Sequence, residues 1–206
     1  MIFYNSVPPN LRFQIDDLEE TWTFTNKFDF IYSRMMTGSF SDWPLVLNQA
    51  YQNLNPGGFI EIMDCIYPTK TDDDTFPENS MLRKWGELML TGFAATGRPL
   101  DSALHSRELL EAAGFVNVVQ ADYKWPLNQW PKHERSKELG LWAFESLYWG
   151  IEGLSLAVFT RALRWTKEET MAFLVEVKKE IKDTKIHCYI PGRVIYGQRP
   201  METPAA

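Results

Sequence analysis

Residues 43–64 read WPLVLNQAYQNLNPGGFIEIMD. Apolar residues recur at helical spacing as far as Leu54. Asp42 is placed to cap this helix, with Pro44 in its first turn. Asn55-Pro56-Gly57-Gly58 stops it, because Pro lacks an amide hydrogen and Gly favours turn geometry. Phe59–Asp64 (FIEIMD) then predicts a strand. Just upstream, Phe28–Ser33 (FDFIYS) is an apolar run bounded by polar residues, as in a buried strand. Strand, helix, tight turn and strand in this order predict two parallel strands joined by a crossover helix. Gly58 is expected at positive φ in the turn.

Further out the pattern continues. Leu11–Ile15 (LRFQI) alternates and predicts a short strand ahead of the unit. Met81–Ala95 predicts a helix rich in large apolar residues, among them Trp85 and Met89. Ser102–Ala113 predicts another, ended by Gly114. Phe115–Tyr123 reads as a strand and Trp125–Lys132 as a loop. Glu138–Leu163 reads as helix that Gly140, Gly150 and Gly153 are expected to break into pieces. Thr166-Lys167-Glu168-Glu169 forms a capping box that opens a helix running to about Asp183. Lys185–Tyr196 reads as a last strand pair, or one strand bent at Pro191-Gly192. The tail Met201–Ala206 is expected to be disordered. The sum is one α/β domain over residues 1–206 with about five strands.

The chain has 206 residues, 21 Lys plus Arg against 27 Asp plus Glu, and a net charge of −6. Without a basic cluster this balance disfavours nucleic acid, whose phosphates demand concentrated positive charge. No apolar run is long enough to span a membrane, and Met1–Asn5 has no signal-peptide pattern. An intracellular location, cytoplasmic or nuclear, is the expectation. Cys65 and Cys188 are the only cysteines, and His105, His133 and His187 are scattered. Both thiols read as reduced and buried, and no metal site is expected. The 8 Trp, 8 Tyr and 13 Phe are the unusual feature. They serve either a large aromatic core or a pocket for a bulky apolar ligand.

Several segments together resemble one family. They are Val7–Asp17 (VPPNLRFQIDD), Phe28–Arg34 (FDFIYSR), Ser39–Trp43 (SFSDW) and Asn55–Ile62 (NPGGFIEI). Ala113–Val116 (AAGFV), Trp130-Pro131-Lys132, Lys137–Gly140 (KELG) and Lys185–Gly197 extend the likeness over nearly the whole chain. The set resembles the fungal LaeA-like class I S-adenosylmethionine-dependent methyltransferases of secondary metabolism. The resemblance implies a Rossmann-like sheet of order 3-2-1-4-5-7-6 with a helical, aromatic-rich substrate cap at residues 78–163. The family's first two strands and Gly-rich turn have no counterpart ahead of Val7, and no Gly-x-Gly occurs anywhere in the chain. An incomplete sheet is therefore expected. The edge of strand Phe28–Ser33 would be left to pair with Leu11–Ile15, to join a homodimer or to be covered by a partner chain.

The resemblance places Asp16, Asp17 and Leu18 at the adenine of S-adenosylmethionine and Ser33 and Arg34 near its methionine part. Without the Gly-rich turn these are read as vestigial, and no cofactor is expected to bind. The expected activity is then binding of an apolar natural-product intermediate and promotion of a cyclisation or isomerisation, a step driven largely by holding the substrate in a reactive fold. His105, Tyr148 or Arg34 would polarise a carbonyl. Met35, Trp85, Met89, Trp142 and Trp149 would line the pocket, between the 81–95 and 138–163 segments. One alternative is methyl transfer from S-adenosylmethionine to a natural product, with His105 or Glu61 as a weak base. The other is a non-catalytic partner subunit.

Overall fold

The computed structural model describes residues 8–201. The elements are β1 (Phe28–Arg34), α1 (Trp43–Asn53), β2 (Leu54–Cys65), β3 (Lys70–Thr71), α2 (Met81–Ala95), α3 (Ser106–Ala112), β4 (Val116–Pro126), α4 (Glu134–Ala157), α5 (Lys167–Lys182) and β5 (Cys188–Gln198). The crossover unit is as expected. β1 and β2 pair in parallel, with Phe30 opposite Phe59 and Arg34 opposite Met63. The Asp42 carboxylate accepts from the Leu45 amide at 2.8 Å, capping α1. The Thr166–Glu169 capping box also forms, with bonds of 2.7 and 3.1 Å.

β5 lies between β2 and β4 and is antiparallel to both, and β3 pairs with its first residues. The order β1-β2-β5-β4 is the 4-5-7-6 part of the sheet that the resemblance implies. α1 and α3 cover one face, where Leu47, Ala50, Ile60, Ile62, Leu110 and Ile195 are buried together. The opposite face carries exposed Phe30, Tyr32 and Tyr123. A second core gathers α2, α4 and α5 beyond the strand ends, around Trp85, Leu147, Ile151, Phe159 and Leu174.

Several expectations fail for identifiable reasons. Leu11–Ile15 is irregular, with Leu11, Phe13 and Ile15 all exposed. Alternation predicts a strand only where a neighbour supplies a ladder, and among the described residues none does. Among the described residues β1 accordingly pairs on one side, with β2. Ser102–Ala113 is not one helix: a 3-10 turn (Ser102–Leu104) precedes α3, with His105 at the junction. Gly114 at φ +95° closes α3, as expected. Trp125 belongs to β4 rather than a loop, opposite Ile190. Lys185–Tyr196 yields one continuous strand, with Pro191 inside it and its carbonyl accepting from the Ile66 amide at 2.8 Å.

The glycines of the 138–163 segment do not break it. α4 runs unbroken from Glu134 to Ala157 and passes into a π turn, Val158–Ala162. Packing against α2, α5 and β4 outweighs the roughly 1 kcal/mol helical penalty of each glycine. Gly140 is there for space: a Cβ would fall 2.1 Å from the Asn128 carbonyl oxygen. The expected turn Asn55–Gly58 is instead the irregular start of β2, where the pairing with β1 shifts register, and the positive φ (+83°) there belongs to Gly57 and not to Gly58. Gly58 instead meets backbone, since a Cβ there would lie 2.9 Å from the Asn55 oxygen. The tail, Met201 apart, lies outside the described residues.

Candidate functional site

The carboxyl ends of β1 and β2 open onto a cleft of about 520 Å³ roofed by α4. In open α/β sheets this is where ligands bind, because the loops diverge beyond the strand ends. β1 contributes Arg34 and, just past its end, Met35. β2 contributes Met63 and Cys65. Trp125 and Ile190 close the β4–β5 side, and Leu139, Trp142, Ser146 and Leu147 descend from α4. Residues 139, 142, 143, 146 and 147 recur at helical spacing, so one stripe of α4 faces the cleft.

The floor is held by a buried carboxylate. Asp64 is 2% exposed, and its two oxygens accept from the amides of Met36 and Thr37 at 3.2 and 3.1 Å. These bonds fix the chain just after β1, where Met35 stands at φ +56°. Burial pushes the Asp64 carboxyl above its usual range, against the pull of the two amides. Burial, with the Asp64 charge added, also pushes the Cys65 thiol up to about 12, while Arg34 acts in the opposite direction. The thiol is therefore protonated at neutral pH and donates to the Met35 sulfur at 3.7 Å. It is not a nucleophile in this state. Burial raises the Tyr67 phenol as well.

Of the residues expected in a pocket, Arg34, Met35 and Trp142 meet at this cleft. The others do not. Trp85 and Met89 are buried in the helical core, and Trp85 Nε1 donates to Ser155 Oγ at 2.8 Å. The cleft therefore lies between α4 and the strand ends, not between α2 and α4. Trp149 is 72% exposed, its indole nitrogen donating to Glu145. Tyr148 stacks on Phe144 under the ammonium groups of Lys178 and Lys182, away from the cleft. His105 is exposed at the start of α3. Glu61 is half-buried in β2 between Tyr32 and Tyr196. Sequence reasoning missed Met63, Cys65, Tyr67, Trp125, Ser146 and Leu147. Position at the carboxyl end of a strand was the available signal for Met63 and Cys65 alone.

The residues that the resemblance assigns to S-adenosylmethionine make no cradle by themselves. Asp16 and Asp17 are exposed and bonded locally, Asp16 to the Asp17 amide at 3.1 Å and Asp17 to the Glu19 amide at 3.0 Å. The Leu18 carbonyl accepts from Trp22 Nε1 and Gln49 Nε2, both at 3.1 Å. Ser33 is half-buried within β1. Of the five residues so assigned, Arg34 lines the cleft, whereas Asp16, Asp17, Leu18 and Ser33 line neither it nor the small void beside Trp43.

Both cysteines are free and buried. Among the described residues no cluster of His, Cys, Asp or Glu could hold a metal ion, and no helix is long and apolar enough to cross a membrane.

The sheet order and the cleft beyond the strand ends are those of a class I methyltransferase fold. A methyltransferase domain family matches residues 3–120. The chain belongs to this family, and it is similar to LaeA-like proteins. It is 36% identical over 184 residues to "Probable methyltransferase tdiE" of Emericella nidulans, covering 89% of this chain and 58% of that protein. It is 34% identical over 200 residues to "Secondary metabolism regulator LAE1" of Cochliobolus heterostrophus, covering 95% and 65%. The chain thus spans less than two thirds of the length of these relatives. Among solved structures, phosphoethanolamine N-methyltransferase 2 of Haemonchus contortus superposes with a TM-score of 0.46 at 17% identity, covering 90% of this chain and 36% of that one.

Proposed function

We propose that this chain is the acceptor-binding part of a small-molecule methyltransferase of fungal secondary metabolism. The supporting observation is the cleft of about 520 Å³ at the strand ends, lined mostly by apolar and aromatic side chains, with Tyr67 and Trp125 on the sheet side and Trp142 on the helix side. Such a site excludes water and gains affinity from apolar burial, at roughly 25 cal/mol per Å². The ligand class is an apolar natural product with fused rings or a polyene chain. Relatives named as a methyltransferase and as a regulator of secondary metabolism support the methyltransferase setting, not the ligand class.

A second reading has its own support. Because Asp16, Asp17, Leu18 and Ser33 do not form a cradle, the cleft could serve a ring-forming or isomerising step that needs orientation more than a cofactor. Arg34 would then polarise an oxygen of the substrate.

Intrinsic fluorescence tests the shared premise, since Trp125 and Trp142 both line the cleft. Titration with the neutral apolar probe N-phenyl-1-naphthylamine should give saturable quenching. Ser146→Trp, on the exposed helical rim, should block it. Unchanged probe binding in that variant would remove the proposal. Mass spectrometry of a converted natural product then separates the two readings. Methyl transfer replaces a hydrogen by a methyl group, whereas ring closure leaves the mass unchanged.

A further inference from the structure

The geometry points to a carboxylate on the apolar ligand, received by Arg34. This inference rests on the cleft being the small-molecule site. Arg34 is the one charged residue among the described residues that line the cleft. Its side chain comes from the last residue of β1, where the backbone is held by pairing with Met63. None of the ion pairs among the described residues involves it. Arg83, Arg98, Arg107, Arg193 and Arg199 each donate to protein oxygens, whereas among the described residues Arg12, Arg135, Arg161 and Arg164, like Arg34, do not, so what sets Arg34 apart is its place in the cleft lining. The nearby carboxylate, Asp64, is committed to the amides of Met36 and Thr37.

A guanidinium at the mouth of an apolar cleft has a specific chemical meaning. Its planar fork of donors matches the two oxygens of a carboxylate, and the low-dielectric walls strengthen that pair relative to water. A neutral ligand of the same shape would cover part of the guanidinium without replacing its water. Two other polar groups of the lining, the Tyr67 and Ser146 hydroxyls, have no hydrogen-bond acceptor or donor role elsewhere among the described residues and are available to the same ligand. The inferred ligand is an apolar acid with its carboxylate at the β1 end and its hydrocarbon body under Trp142. A carboxylate also occurs on the amino-acid end of S-adenosylmethionine, so the test must separate the two sources.

The experiment is displacement of N-phenyl-1-naphthylamine by the isosteric pair 2-naphthoate and 2-naphthamide, with S-adenosylhomocysteine as a third competitor. The protein is used as the wild type, Arg34→Gln and Ser146→Trp. Arg34 is exposed, so its replacement should leave the fold intact, which circular dichroism verifies. The expected result is that 2-naphthoate displaces the probe about tenfold better than 2-naphthamide, and that Arg34→Gln erases the difference while leaving the amide unchanged. Equal displacement by acid and amide, with probe binding still blocked in Ser146→Trp, would overturn the carboxylate and leave the cleft. Displacement that depends on Arg34 for S-adenosylhomocysteine alone would also overturn it, by assigning Arg34 to the methyl donor. Probe binding that ignores Ser146→Trp would remove the underlying reading of the cleft instead, and this inference with it.

Discussion

Glu19 is bonded to Ser41 twice, its carboxylate accepting from the hydroxyl at 2.6 Å and from the amide at 2.8 Å. The same oxygen accepts from the Asp42 amide at 3.0 Å, and the other is paired with Arg98 at 2.9 Å. One side chain thereby ties the irregular segment before β1 to the cap of α1. These bonds hold the Glu19 carboxyl down, from 4.5 to about 2, with the Ser41 hydroxyl the largest cause. Because the folded value lies below the unfolded one, the stabilisation is present above pH 4.5 and is lost as pH falls toward about 2. Glu19→Gln should lower stability at neutral pH and flatten the acid limb across that window. Urea unfolding at a series of pH values checks this, and an unchanged acid limb would contradict it.

The Trp85–Ser155 bond joins α2 to α4 with both side chains fully buried. Trp85→Ala should cost about 3–5 kcal/mol through the cavity it leaves. Ser155→Ala should cost about 1–3 kcal/mol, because the indole N–H is left buried without an acceptor. Denaturant titrations measure both. A near-neutral Trp85→Ala would show that the indole is not a core residue.

Alanine at the three glycines of α4 should give opposite signs. Gly140→Ala should destabilise by about 1–3 kcal/mol, since its Cβ would meet the Asn128 backbone. At Gly150 and Gly153 a Cβ meets nothing within 4 Å, so alanine should stabilise each by about 0.5–1 kcal/mol. Melting temperatures of the three variants test the order.

Trp142 and Trp149 are both exposed residues of α4, at 65% and 72%, but only Trp142 lines the cleft. Trp142→Ala should weaken binding of N-phenyl-1-naphthylamine about tenfold. Trp149→Ala should leave binding unchanged and shift stability by no more than about 0.5 kcal/mol. Equal effects on binding would mean that the probe sits elsewhere.

What was legible in the sequence was local or carried by a whole pattern of segments. Asp42 caps α1 and Thr166 opens α5 because a cap needs only residues three or four apart. The β1–α1–β2 crossover followed from two apolar runs and the helix between them, although the Pro-Gly stretch read as a turn is the start of β2. The resemblance supplied the order of the four long strands. Tertiary contacts decided the rest. Leu11–Ile15 alternates as a strand should, yet no neighbour offers it a ladder. α4 keeps its glycines within one helix because surrounding elements hold it, and at Gly140 a neighbouring carbonyl leaves no room for a side chain. The cleft depended on the direction of each aromatic ring. Trp85 turns into the core to reach Ser155, while Trp125 and Trp142, on a strand and a helix that are distant in sequence, converge on Arg34. Composition can count such rings, but only the packing of one helix against four strand ends aims them.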